Sequence, residues 1–158
     1  MQRSLVRTSF ALLLTASLGV SACGDDPLGP SFPEDVNFNA SLGVNLSQMT
    51  ELPSGVFIQT RIQGTGVGAE DGDLLIIDYT LWLPSGTQVD QQTGWQYTLG
   101  VTDVVTGFED GLRGVREGET RLIVIPSNQA YGAQGRGSIP PQSVLVFEVE
   151  VTGKNPTA

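Results

Sequence analysis

The sequence contains no histidine and a single cysteine in 158 residues. Without histidine there is no Ser-His-Asp or Cys-His hydrolytic machinery and no imidazole proton shuttle. Zinc and copper centres built from His and Cys clusters are excluded for the same reason. One cysteine cannot form an internal disulfide. Cations are also scarce: eight Lys+Arg stand against 17 Asp+Glu, a net charge of −9. Too few remain to neutralise a run of phosphates, which argues against nucleic acid as a partner. What is abundant is glycine, at 20 residues, nearly double the average share of about 7 %. With nine prolines, this composition implies many turns between short elements. The length suits one domain and is short for two.

The N-terminus reads as an address. Arg3 and Arg7 form a positive n-region, and the apolar run from Phe10 to Val20 is too short to span a bilayer. Small residues Ser21 and Ala22 follow, then Cys23. Val20-Ser21-Ala22-Cys23 resembles the bacterial lipobox, in which the cysteine becomes the first mature residue and carries the lipid. The alternative is a plain secretory signal beside an incidental cysteine; the sole Cys directly behind the small residues favours the lipobox. Gly24, rather than Asp, after the Cys suits the periplasmic side of the outer membrane. Residues 1–22 are thus expected to be a lipoprotein signal peptide. Its removal takes Arg3 and Arg7 and leaves six basic against 17 acidic residues, a net charge of −11. Such a chain repels anionic surfaces, so membrane attachment would rest on acyl chains at Cys23 and not on a basic patch.

Residues 23–52 read as a tether. Gly24 to Pro33 is acidic, Pro/Gly-rich and aperiodic, as in a flexible spacer. Phe38, Leu42, Val44, Leu46 and Met49 are apolar enough to dock on the globular domain; docked and disordered states are equally compatible with the pattern. Asn39-Ala40-Ser41 matches a glycosylation sequon, which carries no meaning in a bacterial lipoprotein.

Residues 53–154 read as one globular domain. Val56, Ile58, Thr60 and Ile62 alternate with Phe57, Gln59, Arg61 and Gln63, a half-buried strand ended by the turn Gly64 to Gly68. From Leu74 to Leu83 the odd positions Leu75, Ile77, Tyr79, Leu81 and Leu83 are apolar or aromatic, committing one face to a core. Pro84-Ser85-Gly86 is a turn. Residues 119–126 alternate again, and in 143–152 Leu145, Phe147, Val149 and Val151 oppose Glu148 and Glu150. One segment reads as helix: Thr106-Gly107-Phe108-Glu109 fits a capping box, Phe108 and Leu112 share a face, and Gly114 supplies a left-handed stop. Two turns of helix cannot stand alone and must pack on the sheet. The expected class is α+β. Glu109-Asp110 and Glu117/Glu119 read as solvated faces; paired carboxylates can signal a glycosidase, but nothing places these around a sugar cleft.

Three segments carry a resemblance when taken together. The first is Asp78-Tyr79-Thr80, then Gly86 and Asp90. The second is Leu99-Gly100 leading into Val104-Val105-Thr106-Gly107-Phe108-Glu109-Asp110-Gly111-Leu112. The third is Ile125-Pro126, Ala130-Tyr131-Gly132, Ile139-Pro140-Pro141 and Leu145-Val146-Phe147-Glu148-Val149. This order and spacing resembles the FKBP-type peptidyl-prolyl cis/trans isomerases over about residues 54–152. The resemblance implies a curved antiparallel sheet, a half-barrel, wrapped around one short helix. It implies catalytic roles for Tyr79, Asp90 and Tyr131. It also implies a substrate pocket of Val89, Trp95, Val104, Val105, Phe108, Ile139 and Phe147.

The implied chemistry suits this composition. Rotation about an X–Pro bond meets a barrier of about 20 kcal/mol that arises from amide resonance. Charge separation across the amide falls as the bond twists, so a dry apolar pocket favours the twisted state over the planar one. No nucleophile, proton transfer, cofactor or metal is required. The partners implied are X–Pro polypeptides in the cell envelope and, through lipid on Cys23, the membrane. The tether is too short and Pro/Gly-rich to be the helical dimerisation domain of other exported members, so a monomer is expected. Gly132 to Ser138 leave no room for an inserted flap domain.

Four departures from the family pattern stand out. Val89 replaces the aromatic before the aspartate. The loop between Asp90 and Trp95 is about four residues shorter than in the best-known members. The arginine that usually partners the aspartate has no counterpart there. Phe108 replaces a tryptophan floor. These leave a catalytically weak peptide-binding module, or a structural lipoprotein reusing the fold, as alternatives.

Overall fold

The computed structural model describes residues 31–155. The signal peptide over 1–22, Cys23 and the first part of the tether lie outside the described residues. Six strands form one antiparallel sheet: β1 (Thr50–Glu51), β2 (Phe57–Ile62), β3 (Leu74–Trp82), β4 (Gln88–Thr98), β5 (Thr120–Ile125) and β6 (Leu145–Asn155), with the helix α1 (Thr106–Leu112) between β4 and β5. The sheet order is β1-β2-β5-β6-β3-β4, every neighbouring pair antiparallel. The last two strands thus occupy the centre, between strands formed earlier in the chain. This is the expected α+β architecture.

β5 is buried on both faces, which is why Leu122 to Ile125 is an unbroken apolar run; β6 is buried on both faces only over residues 145–147, and beyond them Glu148 and Glu150 are exposed. Ile123, Ile125, Leu145, Phe147, Val149 and Val151 point inward, joining Leu75, Ile77 and Leu81 of β3 and Phe108 and Leu112 of α1 in the main core. Leu122, Val124, Val144 and Val146 join Phe57 in a second cluster. That outer cluster is covered by the segment before β1. Residues 31–49 form a strap with three short 3-10 turns, Pro33–Asp35, Ala40–Leu42 and Leu46–Gln48. Val36, Phe38, Leu42, Val44, Leu46 and Met49 pack against the outer cluster. Over 31–49 the docked state is therefore the one adopted, not the flexible spacer.

Helix α1 lies unusually close to the sheet. A Cβ at Gly107 would collide with the Ile125 side chain, and one at Gly111 with Ile123. These glycines, four apart, form the flat contact face, and Phe108 and Leu112 enter the core beside it. Gly114 has φ +73, the left-handed stop expected after the helix.

Two readings are corrected here. Thr106 is not the N-cap: Val105 holds that place, with no side-chain cap bond. Glu109 is instead engaged elsewhere, accepting from the Tyr97 hydroxyl at 3.1 Å and the Gly100 amide at 2.7 Å. Glu119 is not on a solvated face but only 3 % exposed. Its Oε1 accepts from Arg121 and from the Thr60 hydroxyl, and its Oε2 from the Arg116 amide. Arg121 in turn donates to the Gly111 and Arg113 carbonyls at 2.8 and 3.1 Å, closing the end of α1. A desolvated charge demands such partners, because burying it alone is costly. Among the described residues, no helix is long and apolar enough to cross a membrane.

Candidate active site

The sheet curls around a cavity of about 400 Å³ beside α1. Its walls come from six places in the chain. β3 supplies Tyr79 and Leu81, β4 supplies Val89, Asp90 and Trp95, and the approach to α1 supplies Asp103, Val104 and Val105. Phe108 of α1 and Phe147 of β6 close the base, and the loop after β5 adds Tyr131, Arg136, Gly137, Ser138 and Ile139. All ten residues assigned from the sequence to catalysis or substrate binding therefore meet around this one cavity.

Phe108 is the hub of the base. Its ring centroid lies 4.8 Å from Phe147, 6.2 Å from Tyr79, 6.2 Å from Trp95 and 5.8 Å from Tyr97. Tyr79 stands edge-on to Trp95 at 5.6 Å. Tilted and edge-to-face contacts of this kind are the favoured aromatic arrangements and hold the rings stiffly. Phe108 and Phe147 are 2 % and 6 % exposed, so the base is apolar and aromatic.

The rim is polar. The Tyr79 hydroxyl donates to Asp90 Oδ2 at 2.7 Å, and the Gln91 amide donates to Oδ1 at 2.8 Å. Burial, then the hydrogen bond and negative charge of Asp90, hold the Tyr79 phenol above the ordinary tyrosine value. Tyr79 therefore stays a neutral donor. No Lys or Arg forms an ion pair with Asp90 among the described residues; Tyr79 takes the place of that cation. The Tyr131 hydroxyl has no hydrogen-bond partner among the described residues and is left free to donate to a ligand. The Arg136 guanidinium sits 5.5 Å from the centroid of the Tyr131 ring, a cation–π distance.

Two bulges in β4 aim its side chains. Leu81 pairs with Asp90 and Trp82 with Gln88, so Val89 is an extra residue. This puts consecutive residues Val89 and Asp90 on the same cavity. Further along, Ile77 pairs with Trp95 and Tyr79 with Gln92, leaving Thr93 and Gly94 opposite Asp78. Gly94 has φ +63 and donates its amide to Asp78 Oδ1 at 2.7 Å. The stretch from Asp90 to Trp95, shortened against the family pattern, is thus continuous strand.

Sequence reasoning missed Leu81, Asp103, Gly137 and Ser138 as lining residues and Tyr97 as the support behind Trp95, 5.4 Å away. The alternation Val89, Trp95, Tyr97 could have marked β4, had the bulges not interrupted it. Among the described residues no group of three or more acidic, Cys or His side chains is placed to hold a metal ion.

A sequence profile of the FKBP-type peptidyl-prolyl cis-trans isomerases matches residues 66–152, more than half of the chain. An FK506-binding protein of Neisseria meningitidis serogroup B is 39 % identical over 102 residues, covering 61 % of this chain and 94 % of the relative. The crystal structure of a peptidyl-prolyl cis-trans isomerase from Pseudomonas syringae pv. tomato superposes with a TM-score of 0.64 at 31 % identity, covering 74 % of this chain and 87 % of the other. FkpA from Escherichia coli gives a TM-score of 0.64 at 29 % identity over 70 % of this chain, which spans about half of FkpA, at 53 %.

Proposed function

The chain belongs to the FKBP-type peptidyl-prolyl cis-trans isomerases, and from that premise we propose that the cavity beside α1 is where it turns X–Pro bonds in exported proteins. The enzyme is a peptidyl-prolyl isomerase, which acts on proline-containing peptides. The observation that carries the site is the joint geometry: a buried aromatic base under a rim holding one free tyrosine hydroxyl and one carboxylate.

The proline ring enters the base formed by Phe108, Phe147, Trp95 and Tyr79. There the planar amide, with its larger charge separation, loses more solvation than the twisted one. Tyr131 donates to a carbonyl of the bound peptide and fixes its orientation. Asp90 keeps Tyr79 in place and presents negative charge to the carbon side of the twisting carbonyl. Val104, Val105 and Ile139 exclude water around the peptide. No proton is transferred and no covalent bond is made.

Export and lipid attachment at Cys23 belong to this reading as well. They are supported by the charged start, the short apolar run and the placement of the sole cysteine. The clients would be cell-envelope proteins on the periplasmic side of the outer membrane, met by a monomeric enzyme. Val89 favours a second reading, a binding module with weak turnover, because a half-buried valine leaves one side of the proline ring less enclosed than an aromatic would.

Magnetisation-exchange NMR on a short X–Pro peptide tests the site. Exchange well above background in the native protein, reduced about tenfold or more by Asp90→Asn or Tyr131→Phe, supports it. Full activity in both variants would place the chemistry elsewhere.

A further inference from the structure

We propose that residues 31–39 of the strap are a brace for the active site, setting Tyr131 on one wall and the β3–β4 hairpin on the other. The inference rests on the cavity being the isomerase site. At its start, the Ser31 amide donates to Ser127 Oγ at 2.9 Å, and the Ser127 amide donates back to the Ser31 carbonyl at 3.1 Å. Ser127 is fully buried. Its hydroxyl donates onward to Gln142 Oε1 at 3.1 Å, and the Gln142 amide donates to the Gly132 carbonyl at 2.8 Å. Gly132 directly follows Tyr131. The relay therefore runs from the strap to the backbone that carries the free hydroxyl.

Gln142 has φ 57, and no other non-glycine residue among those described has a positive φ. That conformation is disfavoured by about 1–3 kcal/mol and persists only where the surroundings over-determine it. Here a side-chain acceptor and a backbone donor on Gln142 are both engaged.

At the other end of the brace, the Asn39 amide donates to the Pro84 carbonyl at 2.8 Å and Asn39 Nδ2 donates to the Ser85 carbonyl at 3.0 Å. Pro84 and Ser85 form the turn between β3, which carries Tyr79, and β4, which carries Asp90. One short segment is thus bonded behind both walls. Ser31, Asn39, Ser127 and Gln142 do not line the cavity, so they act on the reaction as positioning residues. Small displacements of a positioned donor are costly to rate, up to about 100-fold for 1 Å.

The test uses the whole protein with Ser127→Ala, Asn39→Asp and Gln142→Gly. Asn39→Asp keeps the acceptor for the Ser41 amide and removes the donor to Ser85. Gln142→Gly relieves the left-handed backbone but deletes the acceptor of the buried Ser127 hydroxyl, so a purely structural role predicts a change in stability with the rate of the folded protein unchanged. The brace instead predicts kcat/KM lowered about fivefold in Ser127→Ala and Gln142→Gly, with the ring signals of ¹³C-labelled Tyr131 shifted and broadened. It also predicts that Ser127→Ala costs little further rate once Tyr131→Phe is present. Asn39→Asp lowers the rate less and leaves Tyr131 signals in place. Unchanged Tyr131 signals in both Ser127→Ala and Gln142→Gly would overturn the brace, as would an undiminished rate loss in the Tyr131→Phe background. A native protein that left peptide exchange at background would remove the isomerase reading, while the Tyr131 signals would still decide the brace.

Discussion

The two sides of α1 are built on opposite terms. On the side facing β5, Gly107 and Gly111 bring helix backbone against Ile125 and Ile123, and Arg121 fills the helix end with bonds to Gly111, Arg113 and Glu119. No space remains there. On the side facing β3 and β4, Phe108 meets a ring of large aromatics that hold one another apart and leave about 400 Å³ open. One helix thus anchors the fold with its smallest residues and forms the site with its largest. The difference teaches that stability and activity should respond separately to substitution, because the tight contact holds the helix that the open one uses.

Arg121→Ala should break the tight side most severely. It leaves Glu119 buried without its cation and the helix-end carbonyls without their donor, a loss of about 3–5 kcal/mol. Urea unfolding should show it directly, and kcat/KM of the remaining folded fraction should stay near native. Gly111→Ala comes next. The new methyl has nowhere to go against Ile123, costing about 1–3 kcal/mol for overpacking, partly offset by about 1 kcal/mol of helix propensity. The separation of the two sides predicts a lower Tm with kcat/KM within about twofold; a larger fall in rate would mean that the tight side sets the position of Phe108.

High pH probes both sides at once. Burial and then the charge of Glu109 push up Tyr97, which is fully buried behind Trp95; burial and Asp90 push up Tyr79 at the rim. In both cases the fold prefers the neutral phenol. Their contribution is therefore complete below the unfolded tyrosine value of about 10 and is lost progressively as pH climbs above it. Urea midpoints should be flat near pH 8 and decline above pH of about 10. Tyr97→Phe should flatten that decline more than Tyr79→Phe, since Tyr97 is the more deeply buried.

Much of this arrangement was legible in the residues. The period of two from Leu75 to Leu83 and from Leu145 to Val151 placed the inner face correctly, because both segments pack one face on a single core. The cavity residues came from motif order and spacing, which local periodicity alone would have assigned to core. Three things were hidden by physics that a linear pattern does not carry. β4 escaped because its bulges at Val89 and at Thr93-Gly94 shift the alternation twice. The capping box failed because Tyr97 and Gly100, distant donors until the chain folds, compete for Glu109. Glu119 looked solvated because charge alone does not announce a buried partner, and Arg121, Thr60 and the Arg116 amide converge on it only in the folded sheet. The strap was half visible: its apolar residues were noticed, but the acidic Pro/Gly-rich stretch before them suggested a spacer.

The smallest effect tests the open side most finely. Val89 is the inserted residue of a bulge, half-buried on the cavity wall beside Asp90. A phenylalanine there gains room from the cavity itself and not from the core, so the substitution should change stability by no more than about 1 kcal/mol, although Val89 packs against the main core. The added ring would cover the exposed side of a bound proline. That contact forms with substrate in both planar and twisted states, so most of its effect should fall on KM, with any gain in kcat reporting the part specific to the twisted amide. The expected outcome for Val89→Phe is a rise of a few-fold in kcat/KM, about 1 kcal/mol of added aromatic contact. A loss of rate would mean that Val89 is sized to the cavity already, and that the open side of α1 is as finely packed against its ligand as the closed side is against β5.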